Sequence, residues 1–154
     1  MKEQYRQQII DLLTAAYWME VETVTNYIAN SVDLDGVRAE EIKKSLAADI
    51  SAELGHAQNI ARRIKELGGR VPGSMGFRAT QKSLQPPADT TDLVAVIKGV
   101  IEAEDGAIAH YGTMIEMCSE AHDYVTQDLC ITQLGDEEGH RVMFAGFLKE
   151  YLKS

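Results

Sequence analysis

The chain has 154 residues, 45% of them apolar and 25% charged, with 24 acidic against 15 basic residues and a formal charge of −9. That length is one domain, 1–154, able to bury a sizeable core; the acidic excess opposes binding to nucleic acid or anionic membranes and favours cations, although solubility accounts for it equally well. No apolar run approaches the ~20 residues needed to cross a bilayer, and the start, Met1-Lys2-Glu3-Gln4-Tyr5-Arg6, lacks the apolar stretch of a secretory signal, so no membrane role and a cytoplasmic location are expected.

The apolar period predicts four long helices. The first runs from about Glu3 to Asn30, with Ile9, Leu13, Ala16, Glu20, Thr23 and Tyr27 on its inward stripe, and Asp33-Leu34-Asp35-Gly36 breaks it. The second runs from about Val37 to Leu67, its stripe carrying Ile42, Leu46, Asp49, Glu53, His56, Ile60 and Ile64, and Gly68-Gly69 ends it. A segment of 23 residues, 68–90, shows little periodicity. The third helix spans about Thr91 to Ser119, with Val100, Glu104, Ala107, Tyr111, Ile115 and Cys118 inward. After a turn at Ala121-His122, the fourth spans about Asp123 to Leu152, with Thr126, Cys130, Gln133, Glu137, His140, Phe144 and Phe147 inward.

Connection lengths set the topology. The two short turns make antiparallel hairpins, whereas the 23-residue segment exceeds what neighbouring bundle helices need. Extended at ~3.3 Å per residue, it is long enough to run beside a helix of ~42 Å and return the chain to the other end. The expected fold is all-α: a four-helix bundle of two hairpins joined by one long crossover.

One pattern occurs twice. Glu20, Glu53 and His56 recur as Glu104, Glu137 and His140, each displaced by 84 positions. Within each Glu-x-x-His the two side chains lie one turn apart on one side of a helix. Each sits in an apolar stripe with no inward Lys or Arg nearby, where a bare carboxylate would lose its hydration at a cost of several kcal/mol. A pair of divalent cations resolves that conflict. Oxygen and imidazole donors without thiolate suit iron or manganese and, less specifically, zinc. Glu53 and Glu137 would bridge; Glu20 with His56 and Glu104 with His140 would complete the two sides.

Other residues are placed by the same arithmetic. Glu22 and Glu102 are expected to face solvent or a subunit interface, and Glu138 to lie one step off the stripe. Tyr27 and Tyr111 follow Glu20 and Glu104 by seven residues; each is either a packed core phenol or a group that bonds a ligand carboxylate and supplies an electron. Asp49 and Gln133 are a further pair 84 apart, candidates to support the ligands. Cys118 and Cys130 lack metal-knuckle spacing and are expected as reduced core thiols. His110 and His122 are expected at the surface.

The stretches His122-Asp123-Tyr124-Val125 and Asp136-Glu137-Glu138-Gly139-His140, with Glu20 and Tyr27, resemble the ferritin-like superfamily, most closely the bacterioferritin group, over essentially the whole chain. The resemblance implies a ferritin-like bundle and a di-iron ferroxidase. Two iron ions per subunit would be oxidised by O2 or H2O2 for iron storage or detoxification in a homo-oligomeric shell, with Tyr27 as the redox-capable tyrosine. Bacterioferritins take a haem ligand from a methionine after the second-helix glutamate; here that residue is Leu54, so haem is not expected. The chain reaches only 14 residues past His140, which leaves no room for the fifth helix of 24-subunit shells and makes a 12-mer competitive with a 24-mer. A rubrerythrin-like di-iron peroxidase without mineral storage is the alternative, and a metal-free helical interaction protein the third.

Overall fold

The computed structural model describes residues 1–153; Ser154, the last residue of the expected domain, lies outside them. Four helices carry the fold, α1 (Arg6–Asp33), α2 (Ala39–Glu66), α3 (Leu93–Ala121) and α4 (Tyr124–Tyr151), with single 3-10 turns at Glu3–Tyr5 and Ser74–Gly76 and no strand among the described residues. The helix ends depart from expectation by one to three residues, for local reasons at the larger departures. α1 continues to Asp33, because the buried Asn30 still accepts the Leu34 amide at 3.3 Å, and stops where Leu34 turns extended and Gly36 takes φ +103°. α3 begins at Leu93 rather than Thr91 because Asp92 is its cap, accepting the Ala95 amide at 3.1 Å. At the other end His122, φ +56°, closes α3 in a left-handed turn before α4 begins.

Contacts at the helix ends fix their directions. Arg6 Nη1 donates to the Leu67 carbonyl at 2.9 Å, so α1 starts where α2 finishes. The Lys2 amide donates to the Ala121 carbonyl at 2.7 Å, bringing the start of α1 to the end of α3. Arg63, near the end of α2, donates to Asp123 at the start of α4 at 2.8 Å. α1–α2 and α3–α4 are therefore antiparallel hairpins.

The crossover climbs α1 in step. Phe77 packs on Trp18 at 5.3 Å. The amides of Thr80 and Gln81 each donate to the Glu22 carboxylate at 2.6 Å. Asn26 bonds Gln81 at 2.7 Å, Asn30 the Leu84 carbonyl at 2.7 Å, and the Asp35 amide the Thr90 carbonyl at 2.9 Å. Glu22 thus does not face solvent: the crossover covers it, leaves it 5% exposed and supplies its hydrogen bonds. The close approach of this strap also explains Gly99, where a Cβ would stand 2.9 Å from the Leu84 amide nitrogen.

The core is split. One apolar cluster joins Ile9, Leu13, Ile60, Ile64, Met114 and Cys118. The other joins Ile42, Leu46, Val96, Ile97, Val100 and Phe144. On every helix the candidate ligands fall between the stretches that feed these two clusters.

The cap of α4 yields a stability prediction. Asp123 accepts the Thr126 amide at 3.1 Å, its hydroxyl at 2.5 Å and Arg63 at 2.8 Å. Burial works to raise the Asp123 carboxyl, but the Thr126 bonds and the Arg63 charge outweigh it and hold the group below the ordinary aspartate range. The stabilisation is therefore complete above the unfolded value of about 4 and disappears as pH falls through the lower folded value. Asp123→Ala should cost about 2 kcal/mol at pH 7, and chemical-denaturation curves of the two proteins should converge as pH is lowered toward 3.

Candidate metal centre

The repeated residues meet at the waist of the bundle. α1 contributes Glu20, α2 Glu53 and His56, α3 Glu104, and α4 Glu137 and His140. Each lies mid-helix, where backbone amides are already bonded and cannot solvate a carboxylate. The four glutamates are 1–2% exposed. Their oxygens and the two imidazoles form two overlapping groups, Glu20-Glu53-His56-Glu137 and Glu53-Glu104-Glu137-His140, with one atom per residue lying within 4.8 Å of the others. Glu53 and Glu137 belong to both groups.

Both imidazoles turn Nδ1 inward. His56 Nδ1 lies 2.9 Å from Glu137, 3.7 Å from Glu53 and 3.8 Å from Glu20. His140 Nδ1 lies 3.2 Å from Glu53 and 3.7 Å from Glu104. Close as they are, these atoms do not point at one another as donor and acceptor. Both Nδ1 atoms and one oxygen each of Glu53, Glu104 and Glu137 are buried without a hydrogen bond. Such orphans are costly in a folded core, and here they converge. No lysine or arginine pairs with any of the four carboxylates among the described residues.

Protons compensate part of this charge. Burial, reinforced by neighbouring carboxylates, pushes Glu137 up to about 11 and raises Glu20 well above the ordinary range. Burial works to raise Glu53 too, but its close contacts with Glu20, His140 and His56 outweigh burial and hold it low. The nearby carboxylates of Glu104 and Glu53 push His140 up to about 11. His56 is raised as well, since contacts with Glu137, Glu20 and Glu53 overcome its desolvation.

The two tyrosines bracket the centre. Tyr27 Oη donates to Glu104 at 3.0 Å and Tyr111 Oη to Glu20 at 2.6 Å, both rings fully buried. Burial, then the adjacent carboxylate charge, holds both phenols well above the usual tyrosine range. Tyr111 also accepts from Gln133 at 2.7 Å, a bond that Tyr27 lacks. Asp49 stands 3.6 Å from His140 Nε2.

Several residues take no part. His110 donates to the Leu12 carbonyl at 2.9 Å, and His122 stacks on Tyr124. Glu102 and Glu138 are exposed. Cys118 and Cys130 are buried free thiols, which burial pushes up to about 11 and about 12. One contributor went unrecognised in sequence: Asp136, whose Oδ2 lies 2.9 Å from His56 Nε2. Its only signal was its place beside Glu137, off the inward stripe.

A four-helix bundle with a long crossover, enclosing carboxylates and histidines between two apolar clusters, has the ferritin-like fold. The ferritin family, described as the ferritin-like domain, matches residues 10–153. The chain belongs to this family, in its bacterioferritin-like group. It is 29% identical over 140 residues to a bacterioferritin of Desulfovibrio desulfuricans, covering 90% of this chain and 73% of that one. Among solved structures it resembles a ferritin-like, diiron-carboxylate protein of Bacillus anthracis, with a TM-score of 0.83 and 20% identity over 96% of this chain and 99% of the other. It also resembles a dodecameric thioferritin, the bacterioferritin-related protein of Bacteroides fragilis, with a TM-score of 0.81 and 24% identity over 96% and 88% of the two chains.

Proposed function

We propose that the six side chains hold two iron ions, Glu20 and His56 on one, Glu104 and His140 on the other, with Glu53 and Glu137 shared. The chain is then a ferroxidase that oxidises Fe(II) with O2 or H2O2 and serves iron storage or detoxification as a homo-oligomeric shell. One observation carries this proposal: buried, unbonded imidazole nitrogens and carboxylate oxygens from α2, α3 and α4 converge beside Glu20 of α1, with no lysine or arginine paired to them among the described residues. Two Fe(II) supply the two electrons that reduce O2 to H2O2, or H2O2 to water. Manganese or zinc suits the same donors as a substitute.

The residues divide the work. Inward Nδ1 lone pairs and the carboxylates bind and orient the substrate iron. The apolar clusters above and below keep bulk water from the centre. Tyr27 is the proposed redox tyrosine: its O–H already points at Glu104, which accepts the proton when the phenol gives one electron to the H2O2 formed from O2, a further substrate Fe(II) giving the second so that water is the product. Tyr111 has a donor from Gln133 on its oxygen, which opposes that oxidation. Leu54 offers no thioether, so haem forms no part of the proposal. The shell, of 12 or 24 subunits, is supported by the dodecameric Bacteroides fragilis protein and by apolar side chains left outward on the helices, among them Val32 and Val142, each 71% exposed.

Glu137→Ala or His140→Ala should slow stopped-flow Fe(II) oxidation by at least about 100-fold while leaving the helical circular dichroism intact; unchanged kinetics would refute the assignment. A tyrosyl radical signal in electron paramagnetic resonance after oxidation should vanish in Tyr27→Phe and persist in Tyr111→Phe.

Loading also has a proton signature. His56, His140 and Glu137 hold protons at neutral pH that metal must displace. Zinc titration of metal-depleted protein should therefore release protons, and apparent affinity should rise about tenfold or more per pH unit between pH 5 and 7. A pH-independent affinity would contradict the proton-filled centre.

A further inference from the structure

The two halves of the centre share their six inward side chains but differ in what stands behind the histidines. By the 84-residue offset, Asp136 pairs with Ala52 and Asp49 with Gln133. His56 Nε2 makes a 2.9 Å hydrogen bond to Asp136 Oδ2. The residue that answers to Asp136 in the other half, Ala52, has no polar side-chain atom to offer His140, and Asp49 stands 3.6 Å from His140 Nε2 without a hydrogen bond. Asp49 Oδ2 is itself buried and unbonded. Gln133, the mate of Asp49, is engaged with Tyr111 rather than with His56. The His56 side chain is 5% exposed and that of His140 14%.

An imidazole whose Nε2–H is held by a carboxylate is fixed in one tautomer and one ring orientation, with its Nδ1 lone pair aimed and made more basic. His56 has this support and His140 does not. The geometry points to Asp136 as a positioning residue that makes the two metal positions unequal, the His56 position strong and the His140 position weak. Asp136 is 54% exposed, and an ion pair that open to water contributes little to folding, so its effect falls on the aim of the ring rather than on the stability of the bundle. The inference rests on the two-metal assignment proposed above.

Cobalt(II) titration of the full-length, metal-depleted protein, followed by calorimetry and by the visible d–d bands, tests it. Wild type should take up two ions per chain in steps at least about tenfold apart. Asp136→Ala should weaken the stronger step 10- to 100-fold with no shift in melting temperature. Asp136→Asn, whose amide oxygen still accepts from Nε2–H, should restore most of the loss, and Asp49→Ala should leave the stronger step unchanged. Two equal steps in wild type overturn the inference, as does a stronger step indifferent to Asp136→Ala or an Asn variant as weak as Ala. A chain that binds two ions equally tightly loses only this inference; one that takes up no cobalt loses the two-metal assignment as well.

Discussion

Mutual repulsion among four buried carboxylates is the constraint around which this chain is arranged. Glu20, Glu53, Glu104 and Glu137 lie in one layer, almost without exposure, and none has a lysine or arginine partner among the described residues. Low dielectric magnifies the cost of such a cluster. Within the protein, protons, two histidines and the hydroxyls of Tyr27 and Tyr111 offset it, and under the two-metal proposal a divalent cation would take the place of the protons. The chemistry proposed for the centre and the electrostatics of the core are two views of one arrangement.

The fold supplies what that layer needs. Each helix contributes at its midpoint and carries apolar residues on either side, so the charged waist is sealed from both ends. Two hairpins set α1 antiparallel to α2 and α3 to α4, and the crossover returns the chain so that the halves face each other about an approximate two-fold axis. Glu22, next but one to Glu20, spends its charge on the amides of Thr80 and Gln81 and so ties the strap to the helix that presents Glu20. The buried acid of the centre and the anchor of the crossover thus share one turn of α1.

Much of this was legible before any coordinates. The doubled Glu and Glu-x-x-His pattern marked six residues that the structure brings together, because a helix converts fixed spacing into a shared face. Helix number and the long crossover followed from apolar period and loop length. What escaped depended on contacts between distant segments. Glu22 is on the outer face of α1, which sequence reads as solvent, and only the crossover lying there buries it. Asp136 is half exposed and off the stripe, so its bond to His56 depends on the relative placement of α2 and α4. Cys118 and Cys130 had a quieter explanation in the repeat itself: their mates are Leu34 and Leu46, both fully buried, so the thiols fill positions that leucine fills in the other half.

A core cut into two plugs by an ionic waist has a consequence for how rigid the molecule is. A slip of one residue in any helix would swing its acid about 100° out of the layer, so helix register decides whether the four acids meet at the midplane. Occupancy of that midplane then adds to the free energy holding the register. Protein made in a cell short of iron would be softest at its middle, with both apolar ends still clasped, and the bundle would stiffen from the inside as its cargo arrives.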